Sequence, residues 1–76
     1  MNDRRRTSLK KALSFLNRAL EIVEVAKDIE EEALESMPEN LQGSDRYEKM
    51  EEAFSNLDEA YESIDNAICS VTSAVE

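Results

Sequence analysis

The chain has no histidine and contains one cysteine, one glycine and one proline among 76 residues. A lone cysteine cannot form an intramolecular disulfide. Without histidine or paired cysteines, the usual ligands of a structural zinc ion are missing, so neither a metal nor a cofactor is expected. A chain this short has difficulty burying enough apolar surface by itself. The composition therefore predicts that the protein gains stability by self-association.

Groups on which catalysis commonly depends are also missing. No histidine can act as a general base, and no glycine-rich loop can hold a phosphate group. Carboxylates are abundant, but a di-metal carboxylate bundle needs Glu-x-x-His pairs, and there are none. The sequence predicts a non-enzymatic protein with no catalytic residues.

Long apolar runs are absent as well. The longest uncharged run, residues 66–75, is too short and too polar to span a membrane. The basic residues near the start are not followed by an apolar core, so no secretory signal is predicted. Together with the lone thiol, this favours a reducing, cytoplasmic location, with no membrane partner. The net charge of −9 argues against direct DNA binding.

The clearest pattern is a seven-residue repeat over residues 51–76. It predicts a helix over about 45–75, whose large apolar residues alternate in steps of three and four and form a narrow seam. Ser44 or Asp45 is the predicted cap, and Asp45 with Glu48 fits a capping box. The apolar positions are Tyr47, Met50, Phe54, Leu57, Tyr61, Ile64, Ile68, Val71 and Val75.

A first helix is predicted over about 8–36, with Thr7 or Ser8 as its cap. Alanines recur every seventh residue, which lets two helices approach closely. Its seam toward the second helix contains Leu13, Leu16, Leu20 and Val23.

The loop over about 37–44 contains Pro38, which ends the first helix, and Gly43, which can adopt positive φ. Leu41 is predicted to close the open end of the hairpin. A short loop requires antiparallel helices, so the predicted fold of residues 1–76 is an all-α, coiled-coil-like two-helix hairpin.

The apolar face of the first helix is wider than one partner helix can cover. Its outer part contains Phe15, Ile22, Val25 and Ile29. A symmetric dimer forming a four-helix bundle is the simplest way to cover them, and this predicts a homo-oligomer. The alternative is that a different protein covers this face.

Lys27 and Glu30 occupy seam positions of the first helix. One interpretation is that their aliphatic stems lie over the seam while their charges reach water. The other is that Lys27 fixes the register by pairing with Glu51, Glu52 or Asp58.

Charge is unevenly distributed, because residues 1–20 carry +5 and residues 21–62 carry −12. The basic end suggests an anion or nucleotide site, with Arg4, Arg5, Arg6, Lys10 and Lys11 as the candidate residues. The acidic part suggests a surface that mimics nucleic acid toward a basic protein; its candidates are Glu24, Asp28, Glu31 and Glu35. Solubilising charge is the competing interpretation of both.

Two further features are interpreted as structural. The aromatic stripe of Tyr47, Phe54 and Tyr61 falls on the seam, where it indicates core packing. Cys69 lies outside the seam and lacks the basic neighbours of a reactive thiol, so it is interpreted as a passive, partly exposed thiol.

The segment MPENLQGSDRYE over residues 37–48, followed by Glu/Asp-Glu-Ala heptads, resembles a group of small acidic helical-hairpin proteins of Gram-positive bacteria and their phages or mobile elements. The group has no established activity. The resemblance implies a phage-borne protein that binds and inhibits a host protein, such as a defence protein. The alternatives are an anion or nucleotide sequestering protein and a structural or assembly protein.

Overall fold

The computed structural model of the chain describes all 76 residues as two long helices joined by a short loop. Helix α1 spans Asp3–Glu35 and helix α2 spans Asp45–Val75, with a 3-10 turn at Glu39–Leu41 between them and no strand. The helices pack against each other along a rod of 59 × 14 × 14 Å. The prediction of an all-α helical hairpin is confirmed.

Helix α1 begins five residues earlier than predicted, and neither Thr7 nor Ser8 is its cap. Asn2 is the N-cap, and its side chain accepts a 2.9 Å hydrogen bond from the backbone N–H of Arg5. The Asn2 carbonyl also accepts the N–H of Arg6 at 3.1 Å. Because these bonds occupy N–H groups of the first turn, residues 3–7, which were predicted to precede the helix, are helical.

The loop turns the chain through hydrogen bonds of its own backbone. Leu41 N–H donates to the Pro38 carbonyl at 2.9 Å, and Ser44 N–H donates to the Leu41 carbonyl at 3.2 Å. Gly43 has a φ of +93°, the conformation for which glycine is suited. The prediction that Leu41 closes the end of the hairpin is wrong, because the residue is 45% exposed.

Helix α2 starts with a cap one residue before its first turn. The Ser44 hydroxyl accepts a 3.2 Å hydrogen bond from the N–H of Tyr47. The predicted capping box of Asp45 and Glu48 is wrong, because Asp45 is already inside the helix. Both acids lie in the first turn, where negative charge interacts favourably with the positive end of the helix dipole.

The hairpin has no buried core. No residue of the chain is buried, although the predicted seam residues are more covered than the outer surface. Two packed cylinders shield only the side chains between them, and those still meet water at the edges of the single contact. An ordinary domain buries such side chains by packing a second layer of secondary structure against them.

Candidate protein-binding surface

An apolar strip runs along the outer side of α1. It consists of the four residues that the sequence analysis predicted the second helix would not cover. Phe15 is 65% exposed, Ile22 55%, Val25 59% and Ile29 60%. Phe15, Ile22 and Ile29 recur every seventh residue and therefore lie on one line with steps of about 10.5 Å. We call these four residues the outer strip.

Small side chains border the outer strip on the side that faces α2. Ala12 and Ala19 are partly covered, whereas Ala26 and Ala33 are exposed. Alanine adds no bulk beside Ile22 and Ile29, so another helix can approach this surface closely. The outer strip thus continues smoothly into the edge of the hairpin seam.

Two shallow depressions lie on the other border of the strip. The larger has a volume of about 340 Å³ and is lined by Val25, Asp28, Ile29, Glu31, Glu32 and Glu35. The smaller, of about 300 Å³, is lined by Arg18, Glu21, Ile22 and Val25. Each therefore combines two apolar side chains of the strip with charged groups, and the larger one carries only negative charge.

The proposed acidic surface is fully on the outside of α1. Glu24, Asp28, Glu31 and Glu35 are all exposed, and none of them takes part in an ion pair. Asp28, Glu31 and Glu35 line the larger depression together with Glu32. Carboxylates thus border the apolar side chains at the carboxyl-terminal half of the outer strip.

The structure does not bring the predicted anion-binding residues onto one face. Because Arg4, Arg5 and Arg6 are inside α1, consecutive residues point about 100° apart around the helix. Arg6 is also engaged: its Nε donates to the Val75 carbonyl at 3.2 Å, and its guanidinium lies 3.5 Å from Asp3. A converging arginine cluster would have required these residues to precede the helix.

The bond between Arg6 and Val75 joins the two ends of the chain and was not predicted. Arg6 occupies the seam position that recurs at Leu13 and Leu20, so it faces α2. The last carbonyls of a helix lack partners inside the helix, and a guanidinium satisfies one of them. In an antiparallel hairpin the start of the first helix lies beside the end of the second, so the seam position of Arg6 was the sequence feature that pointed to this contact.

Lys27 is the polar residue within the seam, and it pairs across the hairpin. Its Nζ lies 3.2 Å from Asp58 Oδ1 and 4.8 Å from the centre of the Tyr61 ring. The Lys27 side chain is only 20% exposed, whereas Asp58 is 47% exposed. The pKa of Lys27 is raised above its ordinary value, chiefly by the hydrogen bond to Asp58; burial acts in the opposite direction, and electrostatic interactions with Asp58, Asp28 and Tyr61 add smaller increases. Of the three predicted partners, Asp58 is the one in contact.

The remaining predicted features lie on opposite sides of α2. Tyr47, Phe54 and Tyr61 are partly covered, while Cys69 is exposed on the outer side. No other cysteine exists with which it could pair within the chain.

Comparison with known protein families, curated proteins and solved structures finds no match to the chain. The resemblance to small phage-borne hairpin proteins therefore stays a prediction. No helix has the length and apolar character needed to cross a membrane. No group of three or more acidic or cysteine side chains is arranged as a metal site.

Proposed function

We propose that the protein is a non-enzymatic binding module that works as a homodimer, with two hairpins joined through the outer strip into a four-helix bundle. The observation that carries this proposal is the exposure of Phe15, Ile22, Val25 and Ile29 on one continuous surface of α1. Isolated apolar residues on a surface are ordinary, but a continuous strip bordered by charge is typical of a protein interface.

The energetics support a second layer of helices. Burying a large apolar side chain completely stabilises a protein by roughly 1.5–3 kcal/mol. The strip residues keep more than half of their surface in water, so covering them in both copies recovers most of this stabilisation for eight side chains. The hairpin alone has no buried residue, and dimerisation through the outer strip supplies a buried apolar core.

Helix α2 has no comparable outer strip. Its large apolar residues all lie in the seam, and the residues between them are polar or charged, apart from alanines and Cys69. The dimer contact is therefore assigned to α1. Such an assembly acts by contact with other macromolecules, and in the setting that the resemblance implies, the contacted molecule is a host protein.

The test introduces a charge into the strip and measures the mass by sedimentation equilibrium at micromolar concentration. The original chain is expected at twice its monomer mass of 8.6 kDa. Ile22→Glu is expected to lose the dimer, because a carboxylate cannot be buried there without a partner. The matched control is Asn17→Glu, which adds the same charge on an exposed side of α1 away from the strip. A dimer that survives Ile22→Glu, or that Asn17→Glu also abolishes, contradicts the proposal.

A further inference from the structure

We infer that the two copies pair through antiparallel α1 helices about a two-fold axis near Ile22, so that the basic half of each α1 lies on the acidic half of the other. Phe15 of one copy, flanked by Lys11 and Arg18, then enters the acidic depression beside Ile29 of its partner. This inference rests on the proposed function, since it specifies how the two outer strips meet.

Charge is distributed unevenly along α1. Residues 1–20 contain six basic side chains and one acidic one, a formal charge of +5. Residues 21–35 contain seven acidic side chains and Lys27, a formal charge of −6. Two such helices attract when antiparallel and repel when parallel, because like charges placed along an interface disfavour that arrangement.

The larger depression is both apolar and acidic. It presents Val25 and Ile29 beside four carboxylates, those of Asp28, Glu31, Glu32 and Glu35. The complementary occupant is a helix that carries a large apolar residue between cations. The chain contains one such segment on an exposed surface: Phe15 between Lys11 and Arg18. Arg18 contacts only Glu21 at 3.4 Å, and both side chains are about 70% exposed, so this pair holds Arg18 weakly.

The outer strip is symmetric about Ile22. Phe15 and Ile29 lie seven residues on either side of Ile22, or about 10.5 Å along the helix. Lys11 and Glu32 lie eleven residues before Ile22 and ten after it. A two-fold axis at Ile22 therefore places Phe15 of one copy against Ile29 of the other, and Lys11 of one copy beside Glu32 of the other. Each of these contacts occurs twice, because the axis exchanges the two copies. In a parallel pair, Lys11 would meet Lys11 and Glu32 would meet Glu32.

Disulfide trapping distinguishes the two orientations. Three variants with a single cysteine, Phe15→Cys, Ile22→Cys and Ile29→Cys, are made in a Cys69→Ser background. Each variant is oxidised alone, and Phe15→Cys is also oxidised in a mixture with Ile29→Cys. A disulfide requires Cα atoms about 4.4–6.8 Å apart. In the antiparallel pair the two copies of residue 15 are about 21 Å apart along the helices, so they cannot be bridged.

The inference predicts crosslinked dimers for Ile22→Cys alone and for the mixture, and little for Phe15→Cys or Ile29→Cys alone. Efficient crosslinking of Phe15→Cys alone indicates a parallel pair, which overturns the inference and leaves the proposed dimer intact. A dimeric mass without crosslinking in the mixture also overturns the inference. A monomeric mass for the Cys69→Ser chain overturns the proposed function itself, so the two failures are distinguishable.

Discussion

At the scale of single residues, the most informative position is Lys27, where a cation lies among the apolar side chains of the seam. Its contacts with Asp58 at 3.2 Å and with the Tyr61 ring at 4.8 Å tie α1 to one place on α2. In the sequence, Lys27 occupies a position where the heptad pattern calls for an apolar residue, and three acidic residues of the second helix were its candidate partners: Glu51, Glu52 and Asp58. It could not choose among them, because Glu51 and Asp58 are one heptad apart on the same side of α2 and the flexible lysine side chain can reach in either direction.

Removing the charge of Asp58 is expected to destabilise the hairpin more than removing a similar charge elsewhere. In Asp58→Asn, the largely covered ammonium of Lys27 loses its anionic partner. Asp65→Asn is the matched control, because Asp65 lies one heptad later on α2, is exposed and makes no ion pair. Urea denaturation followed by circular dichroism checks this. Equal midpoints for the two variants would show that the contact contributes nothing to stability.

The pH dependence of this contact follows from the raised pKa of Lys27. A group whose pKa is higher in the folded state contributes stability that is fully present below its unfolded pKa, about 10.4 for lysine. The contribution is lost as the pH rises through the folded-state pKa. The difference in urea midpoint between the original chain and Lys27→Met should therefore be constant from about pH 7 to 9 and should shrink above about pH 10.4. A difference that shrinks already between pH 7 and 9 would contradict the assignment.

At the scale of elements, the heptad pattern predicted the second helix and the turn well. Regular apolar spacing defined α2, and the neighbouring Pro38, Gly43 and Ser44 marked the break between the helices. The start of α1 was missed because residues 3–8 have no apolar periodicity. Their helix depends instead on the Asn2 cap and on the docking of Arg6 against Val75, a contact between residues at opposite ends of the sequence.

The turn gives a direct prediction at Gly43. A methyl group there would meet no atom within 4 Å, so the cost of Gly43→Ala comes from the backbone φ of +93° alone. We expect a loss of about 1–2 kcal/mol in the free energy of unfolding, the usual cost of a left-handed conformation for a residue with a Cβ. Asn40→Ala is the control and should change stability little, because Asn40 is an exposed loop residue without a positive φ. Both are measured by urea unfolding at one protein concentration, since dimerisation makes stability concentration-dependent. A loss as small in Gly43→Ala as in Asn40→Ala would show that the turn tolerates another conformation.

At the scale of the whole molecule, the hairpin is a single layer of contact between two helices and has no buried residue. The wide apolar face of α1 predicted from the sequence that some of its apolar residues would not be covered by α2. In the structure these exposed residues form the outer strip. The orientation of a second copy could not be predicted from the apolar pattern, because Phe15, Ile22 and Ile29 are equally spaced in both directions. Charge breaks that symmetry, since only one half of α1 is basic.

Exchanging charges should reveal the antiparallel pairing. Lys11→Glu and Glu32→Lys should each weaken the dimer several-fold, because each removes two ion pairs of about 0.2–1 kcal/mol and places like charges together. The double variant restores opposite charges across the antiparallel interface, so its dimer dissociation constant should return toward that of the original chain. Dissociation constants from sedimentation over a range of concentrations check this. Additive weakening in the double variant would contradict the pairing.

The most direct test of the central claim, that the outer strip of α1 is covered by a second copy, is the mass of the original chain in solution. Sedimentation equilibrium at micromolar concentration should give twice 8.6 kDa and a shift toward 8.6 kDa on dilution. A mass of 8.6 kDa throughout the micromolar range, with helicity retained, would contradict it.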